Sequence, residues 1–161
     1  AVVTVGEIHG GTARNVIAGS AYLTGTVRTY SDTAHQMMPE LIKRIVTHTA
    51  MALGAEAELT DYTVANLKVE NEPASAQRGR DALVKVLGEQ AVGTYRGTLS
   101  GEDFSAYLQE LPGALAFVGC RNPQIGATFA QHSCFYKVDE TVLARGSMFA
   151  AQYAIDFLAE A

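Results

Sequence analysis

The sequence predicts an α/β chain in two parts, an α+β unit with a sheet and one helix, followed by an α/β layer. Three patterns support this prediction. β-branched and aromatic residues concentrate in two early runs, an amphipathic helical stripe follows them, and a short apolar run precedes a second stripe near the C-terminus. With 161 residues, 48% of them hydrophobic, the chain can form one ordinary domain or two small parts of a larger protein.

Two strands are predicted at the start of the chain. Residues 2–8 and 16–30 have strand composition, and residues 9–12 between them contain the glycines of a turn. Alternation in the second run places Arg28 on the face opposite the apolar side chains. The first part therefore begins with a pair of strands joined by a loop.

An amphipathic helix is predicted after Ser31 and Asp32. Gly54 lies where a C-terminal cap is expected. Alternation over residues 56–62 then predicts a third strand, which gives the order β-β-α-β. The helical stripe consists of Met38, Leu41, Ile42, Ile45, Val46, Thr49 and Ala52.

A domain boundary is predicted where the periodic pattern weakens, which divides the chain into residues 1–65 and 66–161.

Pro73 can begin a helix, because proline is tolerated in the first turn. Ser100 and Asp103 resemble a capping box for a short helix after them. The apolar positions of these two helices are Leu83, Val84, Leu87 and Ala91, and Phe104, Tyr107, Leu108 and Leu111.

The last part is predicted to contain a buried strand and a long helix. Residues 114–118 are continuously apolar and bounded by glycines, which is typical of a strand covered on both faces. A loop follows, and the final helix is expected over residues 140–158. Small residues on that helix would allow close packing on a sheet.

Composition excludes some classes of partner. The net charge of -5 leaves no basic stripe for a row of phosphates, so nucleic acid is not expected and a small molecule or peptide is. The two cysteines are too few for a disulfide framework, and no signal peptide or membrane-length apolar run is present, so we expect a cytoplasmic protein.

The chain opens directly into strand-like sequence without an initiator Met, and we expect it to be part of a longer chain.

His132 is the first candidate site residue, because it lies in a loop between the predicted buried strand and the last helix. A metal ligand is one interpretation, and a solvated side chain is the other. Cys134 would share a face with His132 in an extended segment, but a tetrahedral zinc site needs further ligands, which do not cluster nearby. Cys120 is expected to be a small buried residue.

Asn15 and Arg28 form a second candidate pair. A guanidinium and an amide are suited to hold a substrate carboxylate and its neighbouring carbonyl, although Arg28 alone could be a surface charge. The residue types leave two further alternatives open. Glu102 and Asp103 could be paired carboxylates or could serve a helix start. His9 and Arg14, with Gly10 and Gly11 between the strands, could form a small anion site or only a turn.

The motifs of the chain also resemble a known family. Residues 10–17 (GGTARNVI) and 25–29 (GTVRT) resemble the dimerisation or lid domain of metallo-amidohydrolases such as hippurate hydrolase, indole-acetyl-amino-acid hydrolase and N-acyl-amino-acid amidohydrolase. The resemblance covers essentially the whole chain in one order. It continues through residues 38–42, 53–55, 100–104, 111–114, 117–119 and 132–133, and into the last helix.

This resemblance implies a lid-type two-layer sheet with a helix, followed by the C-terminal part of a metallopeptidase-like catalytic domain. It implies hydrolysis of the amide bond of N-acyl amino acids or similar small amides by a zinc or manganese pair. His132 looks like the last metal ligand, and Asn15 and Arg28 look like the substrate-binding pair that serves a partner subunit in a homodimer. The family's other ligand segments, a Cys-Gly-His run and a Glu-Glu pair, have no match here, so we expect this segment alone to be inactive.

Two other classes of function stay open. The β-β-α-β unit could be a non-catalytic module that dimerises through an edge strand. The same α/β arrangement could also bind a small molecule as a sensor, without hydrolysis. Metal analysis distinguishes the first alternative from a hydrolase, and saturable binding without turnover would indicate the second.

Overall fold

The computed structural model of the protein describes residues 1–160 and has mixed α and β secondary structure, as the sequence predicts. No helix among these residues has both the length and the apolar character needed to cross a membrane. Two short 3-10 turns, Glu89–Ala91 and Pro123–Ile125, accompany the main elements. These are β1 (Val2–Gly10), β2 (Ala21–Arg28), α1 (Asp32–Ala52), α2 (Pro73–Leu87), α3 (Ser105–Glu110) and α4 (Thr141–Glu160).

The chain divides into two compact units. The first consists of Ala1–Lys68 together with Gly97–Asp103, and the second consists of Val69–Arg96 and the chain from Phe104 onward. The segment Gly97–Asp103 returns to the first unit from a distant part of the sequence, which no local pattern indicates. The assignment of residues 1–65 and 66–161 to a lid and a catalytic part stays a prediction.

The first unit begins with an antiparallel hairpin. β1 and β2 pair from Val2 opposite Arg28 to Gly10 opposite Ala21, with a register shift between Val5 and Glu7. The second strand is shorter than the predicted run of residues 16–30, because residues 11–20 form the connecting loop. The loop and the end of β2 at Arg28 therefore lie at opposite ends of the hairpin.

Helix α1 follows the hairpin and has the ends that the sequence predicts. The Ser31 hydroxyl accepts a hydrogen bond from the Ala34 amide at 3.2 Å, which caps the first turn. The helix ends at Ala52, and Gly54 adopts a φ of +71°, a conformation that glycine takes at little cost. Met38 on the predicted stripe is buried.

Two of the predicted strands are wrong. Residues 56–62 carry the right alternation, but the described part of the first unit offers them no strand partner beyond the β1-β2 hairpin, so they form no ladder. Residues 114–118 are not buried, since Phe117 is 58% and Val118 is 49% exposed. Within this segment the backbone of Leu115 is bound by the side chain of Asn71. The Asn71 side-chain amide donates to the Leu115 carbonyl at 2.9 Å and accepts from the Leu115 N–H at 2.9 Å.

The predicted capping box before α3 is also wrong. The helix begins at Ser105 with Phe104 at its N-cap, and no side chain caps it. The Ser100 hydroxyl is instead 2.8 Å from the Thr98 hydroxyl. The interpretation of Glu102 and Asp103 as residues that serve the start of this helix stays a prediction.

In the second unit α4 packs on α2 rather than on a sheet. Arg78 of α2 donates to Glu160 through Nε at 3.1 Å and Nη2 at 2.6 Å, while its guanidinium lies 5.2 Å from the centre of the Phe157 ring. Lys85 donates to Asp156 at 2.7 Å. The helix pair thus combines a small buried contact at Ala82 with charge-assisted hydrogen bonds along its edge.

Candidate functional site

His132 lies on a tight turn in the loop that precedes α4. It is the one non-glycine residue among residues 1–160 with a positive φ, at 68°, and the Ser133 amide donates to the Ala130 carbonyl across the turn at 3.3 Å. Histidine is among the residues enriched in this left-handed region, although the conformation is uncommon for any side chain. The turn presents the imidazole at the surface, where the side chain is exposed.

Contacts on both sides hold this turn. The rings of Phe129 and Phe135 lie with their centres 5.3 Å apart, one before and one after His132. The Ser133 hydroxyl accepts from the Phe135 amide at 3.2 Å, and its carbonyl accepts from the Tyr136 amide at 3.0 Å. The aromatic pair and the serine therefore close the turn at its base and fix the direction of the backbone that carries the imidazole.

A second set of bonds ties this loop to the start of α4. The Asn122 amide donates to Asp139 at 2.8 Å, and Asp139 accepts from the Thr141 hydroxyl at 2.7 Å and from the Thr141 amide at 3.0 Å. The Asp139 amide in turn donates to the Cys120 carbonyl at 3.1 Å. Hydrogen bonds from the Thr141 hydroxyl, the Asn122 amide and the Thr141 backbone hold the pKa of Asp139 below its usual value.

Replacing Asp139 with Asn is expected to lower the thermal midpoint of the protein at pH 7. The pKa of Asp139 is lower in the folded state than in the unfolded state, so the ionised carboxylate stabilises the fold fully above about pH 4. This stabilisation is lost as the pH falls through the pKa that Asp139 has in the folded state. The difference between Asp139→Asn and the original protein should therefore shrink in acid. Thermal unfolding from pH 7 down to pH 2 measures this, with Glu140→Gln as the control. A difference that stays constant with pH would contradict the assignment.

The two cysteines of this loop do not complete a metal centre. Cys134 is exposed and Cys120 is half-buried with its sulfur 3.7 Å from the Tyr136 hydroxyl. The contact with Cys120, together with burial, raises the pKa of Tyr136. Over the described residues no three His, Cys, Asp or Glu side chains come close enough to hold a metal ion. Among the described residues His132 therefore has no companion side chains that would complete a metal site.

The structure does not bring Asn15 and Arg28 together within one chain. Asn15 lies in the loop after Gly10, while Arg28 pairs with Val2 at the far end of the hairpin. β2 has 8 residues, so the two ends of the strand are roughly 23 Å apart at the usual rise per residue. A single carboxylate could contact both residues only if they came from different chains.

Around the hairpin loop the surface is concave, with a volume of about 390 Å³. The His9 ring stacks on the Tyr22 ring with centres 4.8 Å apart, and His9 Nε2 is 3.5 Å from a Glu7 carboxylate oxygen. Arg14, the cation of the anion site considered with His9, is not part of the lining. The lining consists of His9–Thr12 and Val16–Tyr22.

Arg28 has a second neighbour that the sequence analysis missed. Its guanidinium lies beside Gly101 of the returning segment, and the Asn66 side chain lies beside the same glycine. All three residues belong to the first unit. No spacing or periodicity could have found Asn66, because the three positions are far apart in the sequence and meet only through the fold.

Comparison with known proteins identifies similar proteins along almost the whole chain. The family described as peptidase dimerisation domain matches residues 2–53. The thermostable carboxypeptidase 1 of Saccharolobus solfataricus is 30% identical over 97% of this chain and 39% of its own length. N-acetyldiaminopimelate deacetylase of Streptococcus sanguinis is 32% identical, and the match covers 89% of this chain and 36% of that protein. N-acetylcysteine deacetylase of Bacillus subtilis is 30% identical, and the match covers 96% of this chain and 39% of that protein.

A solved structure matches as well. The YXEP protein of Bacillus subtilis, described as a dinuclear metal binding peptidase from the M20 family, is 30% identical with a TM-score of 0.82, and the match covers 98% of this chain and 42% of that one. The mixed α/β fold class predicted from the sequence is therefore confirmed. The chain spans about two fifths of the length of the proteins named here.

Proposed function

We propose that this chain belongs to the same peptidase family as these relatives and is part of a metal-dependent hydrolase that cleaves amide bonds of N-acyl amino acids or similar small amides. In this proposal residues 1–65 form part of the lid and dimerisation domain, and the remainder forms the end of the catalytic domain. Similarity to carboxypeptidases and deacetylases supports the reaction class, and similarity to a dinuclear metal binding peptidase supports the use of two divalent metal ions.

The turn around His132 is the single observation that carries this proposal. The imidazole is exposed and projects from a left-handed backbone turn that is closed by an aromatic pair and a serine. Such an arrangement is suited to a metal ligand, since neutral imidazole is a common ligand of zinc and similar ions. We assign His132 as one ligand, with zinc or manganese as the metal. Because the remaining ligands are not among the described residues, the segment alone is expected to be inactive.

Arg28 is assigned to the substrate carboxylate. A guanidinium binds a carboxylate with two parallel charged hydrogen bonds, which fixes the orientation of an N-acyl amino acid as well as its charge. Asn15 is assigned with Arg28 to the substrate-binding pair that serves the partner subunit's site, and the two lie at opposite ends of the hairpin. Similarity of residues 2–53 to a peptidase dimerisation domain supports a homodimer formed through the first unit.

Metal content and turnover of the complete gene product test this proposal. The purified protein, loaded with zinc or with manganese, is expected to bind about two ions per chain and to hydrolyse at least one of N-acetyldiaminopimelate, N-acetylcysteine, hippurate or a short peptide. The 161-residue segment, verified by intact mass, should hydrolyse none of them. Absence of hydrolysis by the loaded complete protein across this panel would rule out the proposed reaction class.

A second candidate is a non-catalytic dimerisation module. It is favoured by one observation, namely that residues 2–53 are similar to a peptidase dimerisation domain. This alternative predicts a dimer that binds no stoichiometric metal, so the same metal analysis, combined with sedimentation, separates it from the hydrolase.

A further inference from the structure

Asn122 binds both ends of the loop that carries His132. Its backbone N–H donates to the Ala127 carbonyl at 2.8 Å, and its carbonyl accepts from the Ala127 N–H at 2.9 Å. Its side-chain amide donates to Asp139 at 2.8 Å. Residues 128–138, with His132 among them, therefore begin and end next to partners of the same residue. The sequence analysis assigned no role to Asn122.

The contact with Ala127 closes a short, well-defined turn. Ala127 is only 2% exposed, and Gly126 before it has a φ of +73°, which lets the chain reverse its direction at little cost. The side-chain oxygen of Asn122 accepts from the Gln124 amide at 3.0 Å within this turn. Because the side-chain oxygen and nitrogen both have protein partners, the fold fixes the orientation of the Asn122 amide.

The contact with Asp139 connects the same segment to the start of α4. One carboxylate oxygen of Asp139 accepts from the Asn122 side chain in a partly buried position, and the other accepts from the hydroxyl and the amide of Thr141. The Asp139 N–H donates to the Cys120 carbonyl at 3.1 Å. A hydrogen bond to a charged acceptor is stronger than one between neutral groups. Asn122 therefore holds the C-terminal end of the loop against a firm support, the first turn of α4.

The turn at His132 needs this support from outside itself. Its backbone hydrogen bond, from the Ser133 amide to the Ala130 carbonyl, is 3.3 Å long, and the φ of +68° at His132 is uncommon for a residue with a side chain. Backbone conformations of this kind persist where the surrounding structure determines them. Joining the two ends of a loop removes conformations from the residues between them. One residue that holds both ends thus limits the positions that the imidazole can take.

We propose that Asn122 is a positioning residue for the metal ligand His132, and that it acts by joining Ala127 to Asp139 at the base of the loop. The inference rests on the proposed function, because it takes His132 to be a metal ligand. It adds that metal affinity depends on a residue that contacts neither the metal nor the imidazole. The physical reason is preorganisation, since a ligand that is already in place loses less conformational entropy when the metal binds.

Exchanging donor and acceptor in the complete gene product tests this role. In Asn122→Asp two carboxylates face each other, so the zinc dissociation constant, measured by competition with a chelator, should rise about tenfold, as for other residues that orient metal ligands. The double variant Asn122→Asp with Asp139→Asn restores one donor and one acceptor with their places exchanged. It also keeps an oxygen for the Gln124 amide and an oxygen for Thr141. We expect it to recover most of the lost affinity, and we expect the absorption spectrum of bound cobalt(II) to change in the single variant and to return in the double variant.

A second asparagine of the same unit provides a matched control. The Asn71 side chain also makes two hydrogen bonds of 2.9 Å, but both go to Leu115 and neither involves the His132 loop. Asn71→Ala should lower the thermal midpoint and leave the zinc dissociation constant unchanged. Equal losses of zinc affinity in Asn122→Asp and Asn71→Ala, or no recovery in the double variant, would overturn the inference while metal binding by the original protein stands.

Hydrogen exchange of residues 128–138, followed by mass spectrometry, gives a readout that does not need metal. Exchange should be faster in Asn122→Asp than in the original protein, slow again in the double variant, and unchanged in Asn71→Ala. If the complete protein binds neither zinc nor manganese, the proposed function fails and this measurement decides the role of Asn122. The expected order of rates then supports the positioning of His132 by Asn122, and equal rates in all four proteins refute it.

Discussion

Replacing His132 with alanine in the complete protein is expected to remove metal from the site and to lower turnover by more than about 100-fold. Even residues that only orient metal ligands cost 10-fold to 100-fold when they are changed, and a direct ligand should cost at least as much. The backbone turn places the imidazole at the surface, and no other His or Cys of the described chain joins it in a group able to replace it. Metal content measured by mass spectrometry and turnover measured with excess metal test this together.

The backbone at His132 requires a second variant. Histidine and alanine both carry the β-carbon cost of about 1–2 kcal/mol at a φ of +68°, but histidine is enriched in this region and alanine is not, so His132→Ala can also disturb the loop. His132→Gly removes the imidazole without this cost and should lose as much metal and turnover as His132→Ala. His48→Ala is the matched control, since that exposed ring contacts only the Arg44 carbonyl of its own helix, at 2.7 Å. Full metal content in the glycine variant would show that His132 is not a ligand.

Replacing Gly25 with alanine is expected to give the largest loss of stability in the first unit. A β-carbon at this position would overlap the Thr4 carbonyl oxygen, which belongs to the backbone of the paired strand rather than to a movable side chain. The backbones of β1 and β2 must separate next to the register shift between Val5 and Glu7. We expect the free energy of unfolding to fall by roughly 1–3 kcal/mol, and we expect the proposed dimer to be lost.

Urea unfolding and sedimentation of the complete protein measure these two effects. Gly6→Ala is the matched control, because it lies at the same irregularity of the hairpin and a β-carbon there meets nothing within 4 Å. It should change the free energy of unfolding by less than about 0.5 kcal/mol. Similar unfolding curves for both variants would mean that the close approach at Gly25 is not a constraint.

The helices show how much of the fold could be read from local sequence. α1 begins after Ser31 and is followed by Gly54 because the cap hydrogen bond and the left-handed terminus involve neighbouring residues only. The start of α2 at Pro73 follows from the same kind of local preference. Residues 56–62 and 114–118 failed as strands because a strand exists only through a partner, and alternation or apolar character does not supply one.

The candidate site divides in the same way. His132 could be selected from the sequence because a motif resemblance pointed to it, while its left-handed turn and the Phe129 and Phe135 pair that closes it became visible only in the structure. Asn15 and Arg28 appeared as one pair in the sequence, yet the length of β2 separates them within a chain.

By itself, the sequence determined the α/β class, the ends of α1, the start of α2 and the candidate residues His132, Asn15 and Arg28. Only the tertiary structure decided that α4 packs on α2, that residues 97–103 return to the first unit, and that Asn66 and Gly101 adjoin Arg28. The physical reason is the range of the interactions. Caps and helical stripes depend on residues within a few positions of each other, whereas pairing, burial and contacts between distant side chains depend on segments that only the folded chain brings together.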